Sequence, residues 1–286
     1  MSGASEPVGT RSRRVPRAAV AVPLAVVLCL LAWLGWRAWP RDLRPAGLAG
    51  GSSNVKAVGE HPFDRGGERA SYRVTWRVGP ADAVSAGSAA FEASRGTDSC
   101  YFALDVATEG WAAALYDVRG RIESWTATDL LPSRQEYHVR EGRRPIDRTT
   151  RFDWASRTFT VGDGEPRPLP PGSRDGLSAW FHARTLPLAP GYRVRLSVVE
   201  AGRVYDVDAH VERVERVTIG GREIEAYRLG FLVARASDGR EVARAVGWVS
   251  TDARRLPLAV DLDTSLGAFR LELGAYQRQS SVARSR

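Results

Sequence analysis

From Glu68 onward, apolar and polar residues alternate with a period of two. Tyr72, Val74, Trp76 and Val78 alternate with Arg73, Thr75 and Arg77. Tyr192, Val194, Leu196 and Val198 do so with Arg193, Arg195 and Ser197, and Tyr205, Val207, Ala209 and Val211 with Asp206, Asp208, His210 and Glu212. A strand turns successive side chains to opposite faces, so this spacing predicts strands with one buried and one wetted face. Glu141-Gly142, Gly162-Asp163-Gly164, Gly220-Gly221 and Asp238-Gly239 punctuate the runs with turn chemistry. About a dozen short strands joined by tight turns predict an all-β domain, an antiparallel sheet curled into a barrel, roll or sandwich.

Two stretches break the period. Asp175-Gly176-Leu177-Ser178 opens with a good N-cap residue and carries apolar residues at 177, 180 and 181 before Arg184 and Pro187, which predicts one short helix from Asp175 to Arg184. Gly110–Tyr116 holds three alanines in a row and suits a single turn of helix better than a strand. Both halves of the chain around the Pro-rich loop at 166–171 share the β pattern, so one continuous sheet is expected rather than two domains.

Ahead of the β region lies Ala18–Trp36, nineteen residues without a charge. As a helix it reaches about 28 Å, near the thickness of a bilayer's hydrocarbon core. The apolar stretch of a cleaved signal peptide is shorter, and no small-x-small cleavage site follows promptly, since Trp36-Arg37-Ala38-Trp39-Pro40 comes next. Trp33, Trp36 and Trp39 fall where an interfacial aromatic belt belongs. The expected organisation is a basic cytoplasmic N-terminus at 1–17, a transmembrane anchor at 18–39 and a flexible tether at 40–62. The β-rich domain follows at 63–277 and a basic disordered tail at 278–286. The chain has four arginines before the span and three in the eight residues after it. That count barely fixes orientation, and a short N-terminal flank with a large domain beyond favours an N-in signal-anchor.

The formal charge of +8 invites a nucleic-acid reading, but its location argues against one. Residues 1–56 hold eight basic side chains against Glu6 and Asp42, and the tail after Gln277 holds three arginines and no acid. The domain between is therefore near neutral, whereas a nucleic-acid interface needs a basic face on the folded body. No nucleic-acid partner is expected.

Residues able to carry chemistry are few. Cys29 lies in the apolar run and Cys100 stands alone in the domain, so neither an internal disulfide nor a paired-cysteine zinc site is available. His61, His138, His182 and His210 show no metal-ligand spacing, and no metal or other cofactor is expected. No Gly-x-Ser-x-Gly elbow or phosphate-cradling loop appears, and Lys56 is the last lysine. Asp153 and Asp252 read as turn or ion-pair residues. Asp175 reads as a helix cap, a role that serine would fill as well. Trp76, Trp111, Trp125, Trp154, Trp180 and Trp248 read first as core filling, with stacking on a ligand as the alternative. The candidate ligand-binding residues are Asp175, Trp180 and Arg184, on or beside the expected helix, and no catalytic residue is assigned.

Particular words in the chain, in order, carry a resemblance. They are Gly67-Glu68 with Tyr72, Ala86-Gly87, Phe152-Asp153, and Asp175–Ala179 leading into Arg184-Thr185-Leu186-Pro187 and Gly191. Further on stand Trp248 through Asp252 to Arg255-Leu256-Pro257, and Ser265-Leu266-Gly267. Over roughly Phe63–Tyr276 the chain resembles the bacterial envelope family called domain of unknown function 3108. The resemblance implies a β-rich domain exported beyond the inner membrane, here the periplasm; many relatives look exported by a signal peptide, and the 18–39 anchor read from this chain's residues departs from that. It implies no activity and no catalytic residue. Two functions from different classes remain. One is a non-catalytic envelope module that binds or scaffolds an amphiphile, a glycan or a protein partner. The other is a hydrolase of envelope material that uses aspartate carboxylates. An open apolar cavity without clustered polar groups favours the first, and two carboxylates facing one cleft favour the second.

Overall fold

The alternation resolves into fourteen strands and two short helices. The computed structural model describes Phe63 and residues 67–77, 82–264 and 267–278. In chain order the elements are β1 (Glu68–Arg77), β2 (Val84–Arg95), β3 (Ser99–Thr108), α1 (Gly110–Leu115), β4 (Val118–Ala127), β5 (Pro132–Glu141), β6 (Arg144–Asp153), β7 (Thr158–Val161) and β8 (Arg167–Pro168). There follow α2 (Gly176–Ala183), β9 (Arg193–Glu200), β10 (Arg203–Ile219), β11 (Arg222–Arg235), β12 (Glu241–Ser250), β13 (Pro257–Thr264) and β14 (Gly267–Arg278).

All fourteen strands form one antiparallel sheet in the order β8-β7-β6-β5-β4-β3-β2-β1-β14-β13-β12-β11-β10-β9. Strands consecutive in sequence pair except β8 and β9, which form the two edges, and β1 pairs with β14, so both halves of the chain share one sheet. The turns follow their residues: Gly220 and Gly221 both adopt positive φ (54° and 78°), the requirement of a tight hairpin whose twist matches its strands.

The sheet curls until its two edges meet. Arg174, six residues past β8, forms a parallel bridge with β9. Its N–H donates to Ser197 O at 2.9 Å, and its carbonyl accepts from Val199 N at 2.7 Å. Arg167 Nη1 donates to Gly202 O at 2.8 Å. Phe152, Phe159, Leu169 and Val199 bury one another across the seam. The outcome is a curled, barrel-like antiparallel sheet.

The inner face of β1–β4 is filled by large residues. Phe91, Phe102, Leu104 and Ile122 are buried there with Phe63. Helix α2 lies against β3, β4 and β9 and adds Leu177 and Phe181 to this cluster. Phe181 stacks on Phe102 with ring centroids 4.2 Å apart, and Phe63 meets both edge-on at 5.5 Å. The outer face is wetted and carries an arginine–carboxylate lattice in which Arg121 bonds Asp105, Glu92 and Tyr101.

Two sequence expectations change, on the extent of the last strand and on tryptophan. The turn of helix suggested by the alanines of Gly110–Tyr116 forms over Gly110–Leu115 and buries Ala112. The last strand extends to Arg278, so the first residue assigned to the tail belongs to β14. Tryptophan is not the main core filler: of the six only Trp76 is buried, while the phenylalanines fill the interior. Trp125 instead lies beneath Arg134, 4.0 Å from its guanidinium carbon. The expected N-terminus, anchor and tether at 1–17, 18–39 and 40–62 lie outside the described residues apart from the boundary at Phe63. Among the described residues no helix is long and apolar enough to cross a membrane.

Because Phe181 is nearly inaccessible (1% exposed) and ties α2 to Phe63 and Phe102, Phe181→Ala is expected to cost about 3–5 kcal/mol. Denaturant unfolding measures this, and a loss below about 1 kcal/mol would show that α2 does not anchor the core.

Candidate functional site

Helix α2 has two working faces. Leu177 and Phe181, four residues apart, face the filled half of the sheet. Gly176, Ala179, Trp180 and Ala183, at the i, i+3, i+4 and i+7 spacing of one helical stripe, face β9–β13 across a cavity of about 110 Å³. The strand side is lined by Val194, Leu196, Val198, Val207, Ala209, Val211, Leu229, Phe231, Val233, Ala245 and Gly247, among others. Cross-strand pairing sets Ala209 and Ala245 on either side of Phe231, and Gly247 opposite Leu229 and Val260. A Cβ on Gly247 would meet the Phe231 ring at 3.0 Å. Small residues on both walls, α2 and sheet, leave the space open; larger ones would close it.

The lining is almost wholly apolar. Trp180, Val207, Phe231 and Val249 are only half-buried, so the cavity communicates with solvent. Trp180 forms part of the wall and is fixed by stacking on Phe91 at 4.8 Å and by an edge contact with Tyr72. Of the three candidate residues it is the one whose apolar surface borders the cavity freely.

Arg184 also borders the cavity, but its charge is already engaged. It pairs with Glu68 at the start of β1, both side chains almost fully buried (3% and 4% exposed). Its Nη2 donates to Arg254 O at 2.8 Å and its Nε to Arg255 O at 3.1 Å. Tyr276 OH donates to Glu68 Oε2 at 3.0 Å. Arg255 holds a left-handed φ of 46° and donates to the carbonyls of Leu186 and Arg184. The C-terminal end of α2 is thereby locked to β1 and to the loop before β13.

Asp175 does not line the cavity. It caps α2 in a reciprocal box: Ser178 N donates to its Oδ1 at 2.9 Å, and Asp175 N donates to Ser178 Oγ at 3.0 Å. It is fully buried and accepts a further bond, at 2.6 Å, from Ser124 on β4. That long-range bond corrects the expectation that serine would serve equally. Beside it the buried Glu200 accepts from Gly176 N at 2.9 Å and Gln135 Nε2 at 3.2 Å. Two carboxylates therefore meet at the helix start, a convergence invisible in sequence because they are 25 positions apart. Both serve buried donors and neither lines the cavity, so they do not form the cleft that the hydrolase reading requires.

Asp153 caps its own turn by accepting from Ala155 and Ser156 N–H groups, and Asp252 binds Ser250 and Arg254. His182 is buried at the end of α2 with Thr185 Oγ1 3.4 Å from Nδ1. His210 stands on the outer face beside Glu212. His138, Glu123 and Glu136 bring ligand-type atoms within 4.8 Å of one another on the outer surface. Each is engaged with another neighbour: His138 with Asp147, Glu136 with Arg134, and Glu123 with Tyr101 and Arg121. Burial pushes the Cys100 thiol up, away from thiolate chemistry. His61 and Cys29 lie outside the described residues.

Fold and site together define a β-barrel-like domain with an apolar internal cavity walled on one side by a helix. The chain belongs to the family described as protein of unknown function (DUF3108), which matches residues 71–274. A β-barrel-like protein of a domain of unknown function (DUF1849) from Brucella abortus is similar in fold, with a TM-score of 0.55 and 11% identity over 75% of this chain and 99% of its own. A protein described as exported, with a YmcC-like fold, from Bacteroides fragilis aligns at a TM-score of 0.34 and 9% identity over 76% of this chain and 98% of its own. No curated protein matches the chain.

Two outcomes follow from the ends of α2. Removing one member of the Arg184–Glu68 pair strands a buried charge, so Arg184→Met or Glu68→Gln is expected to cost about 3–5 kcal/mol. Glu68→Leu combined with Arg184→Met is expected to recover part of that loss, and additive losses in denaturant melts would show that the pair is not coupled. Burial pushes the Asp175 carboxyl above the usual aspartate range, against the hydrogen bonds from Ser124 and Ser178. Folded, it binds a proton more readily than unfolded, so its contribution to stability is fullest below the ordinary aspartate pKa of about 3.9 and is lost as pH rises through the raised value. Asp175→Asn keeps an oxygen for Ser178 and removes the titration. Relative to that variant, wild type is expected to lose melting temperature as pH rises above the ordinary aspartate pKa of about 3.9. A pH-independent gap would take Asp175 out of the titration.

Proposed function

We propose that this domain is a non-catalytic binding module that takes the apolar part of an amphiphile into the cavity between α2 and β9–β13. The observation that carries the reading is the lining itself: small and aliphatic side chains on both walls, no cluster of polar groups, and the one neighbouring cation already committed to Glu68. A cavity of about 110 Å³ is close to the size, about 150 Å³, at which an aliphatic void stays dry and accepts a small apolar guest. It suits a segment of an acyl chain. A glycan would need hydrogen-bonding groups that this lining does not offer.

The domain works, in this reading, on the periplasmic side of a bacterial inner membrane, held by the uncharged run within residues 18–39 and the tether at 40–62. Support comes from the length of that run and the aromatic residues at its end. Amphiphiles of the envelope would then lie within the tether's reach.

A photoactivatable fatty acid offered to the full chain is expected to crosslink to peptides from α2 and β11–β12. Ala245→Leu, which fills the cavity beside Phe231, is expected to lower the yield about tenfold, since each buried methylene of the guest is worth about 0.8 kcal/mol, with the melting temperature nearly kept. Crosslinks elsewhere, or a yield indifferent to Ala245→Leu, would overturn the assignment.

A further inference from the structure

Along β10 the inward positions run Arg203, Tyr205, Val207, Ala209 and Val211, two residues apart. The last three line the cavity. The first two continue the same row past its end, where β9 finishes at Glu200 and β11 at Arg235. Register sets Arg235 directly opposite Tyr205 and two residues beyond Val233, which lines the cavity. On the other side Tyr205 faces Val198, another lining residue. The apolar space therefore ends at a tyrosine between two arginines.

These donors lack acceptors. Tyr205 is 1% exposed, and no acceptor is placed for its hydroxyl or for the buried Arg235 Nε. Buried polar groups left this way are costly and uncommon. Burial pushes the Tyr205 hydroxyl above the usual tyrosine range, against Arg203 and Arg235, which both act on it; it stays protonated and able to donate. Arg203 is half-buried and forms no ion pair among the described residues. The acids at this end differ in their engagement. Glu200, opposite Arg203, accepts from Gly176 N and Gln135 Nε2. Asp238 holds Arg235 Nη1 at 2.7 Å from the surface side, and Glu241 pairs with Arg244. Asp163 and Glu165 on the β7–β8 loop are exposed without an ion pair, so this rim is not a basic surface as a whole. What sets it apart is three donors on the inward face, at the end of an apolar cavity.

We infer that Arg203, Tyr205 and Arg235 receive the carboxylate of a fatty acid whose chain lies in the cavity. The inference rests on the amphiphile-binding reading and deepens it by naming the head group. A carboxylate supplies the acceptor oxygens that two guanidiniums and a phenol lack, in charge-assisted bonds. Inward residues two apart are separated by about 7 Å along a strand, so a head group at Tyr205 lays its chain along Val207, Ala209 and Val211. Val207 is half-buried, which leaves a way in beside Tyr205. The Arg235 side chain is 20% exposed, and its ion pair is with Asp238, itself 43% exposed. Its guanidinium can therefore turn from that surface carboxylate to the guest's. A few polar groups fixing the orientation of a largely apolar guest is the usual construction of such sites.

The test offers the full chain, in phosphatidylcholine vesicles, two photoactivatable probes of equal chain length below saturation: dodecanoic acid and dodecanol, each carrying a diazirine. At about pH 8, far above the ordinary carboxylate pKa of about 4, the acid is expected to crosslink at least about tenfold more than the alcohol. Arg203→Gln and Arg235→Gln are each expected to lower the acid's yield about tenfold, the loss of a hydrogen bond to a charged group. Both should leave the alcohol's yield unchanged, which also reports an intact fold. Tyr205→Phe keeps the ring in the core and is expected to lower the acid's yield about fivefold with the melting temperature kept. An acid yield no higher than the alcohol's overturns the head-group assignment. So do glutamine variants that lower both probes alike while Tyr205→Phe loses nothing. In either case the cavity reading stands if Ala245→Leu still lowers both yields. Indifference of both probes to Ala245→Leu overturns the two together.

Discussion

A curled sheet of fourteen strands encloses more volume than its own side chains can fill. Eight strands is about the width at which inward side chains meet across a barrel, and wider ones must hold something else. Here the extra occupant is α2, and the interior is organised around it. Leu177 and Phe181 complete the packing of β1–β4, while the opposite stripe, Gly176, Ala179 and Ala183, withholds volume from β9–β13. One helix thus divides the interior into a filled half and a vacant half.

Eight residues of helix are too few to persist alone, since isolated helices shorter than about 12–15 residues are marginal in water. Its ends are therefore pinned to the sheet. At the start, Asp175 and Glu200 supply oxygens to the first backbone N–H groups and tie them to Ser124 and Gln135. At the finish, Arg184 is fixed by Glu68 and by two carbonyls of the loop before β13. Such buried charges are poor stabilisers compared with apolar packing of the same volume. Their effect here is geometric: pins at both ends set the rotation of α2, and the rotation decides which stripe faces the vacancy. A helix turned by about 100°, one residue's advance, would push Phe181 toward the cavity and expose the filled half.

The period-two runs made the strands, the antiparallel pairing and one helix legible from sequence, because each is written in residues close along the chain. Tyr192, Val194, Leu196 and Val198 do form one inward row. The turn of helix in α1 was legible as well, because alanine is the best helix former and is depleted in strands. Tryptophan misled because composition does not say which face a residue takes: Trp125 and Trp248 fall on outward positions of β4 and β12 and sit under arginines. The candidate residues fared unevenly. Trp180 reaches the cavity, Arg184 reaches its border already paired, and Asp175 faces away toward Ser124. Glu68 and Glu200 were missed because their roles come from pairings made 116 and 24 positions away. No local pattern encodes those.

The vacancy itself is the feature least explained by folding. Alanine and glycine are weak strand formers, and an unfilled space forfeits dispersion contacts on every side. Ala209, Ala245 and Gly247 at inward positions therefore cost stability that larger residues would supply. A chain selected for stability alone would fill the space; one that leaves it open has a use for it. The same physics limits what the cavity does. An acyl chain that leaves a bilayer for an apolar protein interior exchanges one dry surrounding for another, so the hydrophobic effect nearly cancels. On the proposed amphiphile-binding reading, affinity then extracts nothing by itself, and loading depends on the shape match between chain and cavity.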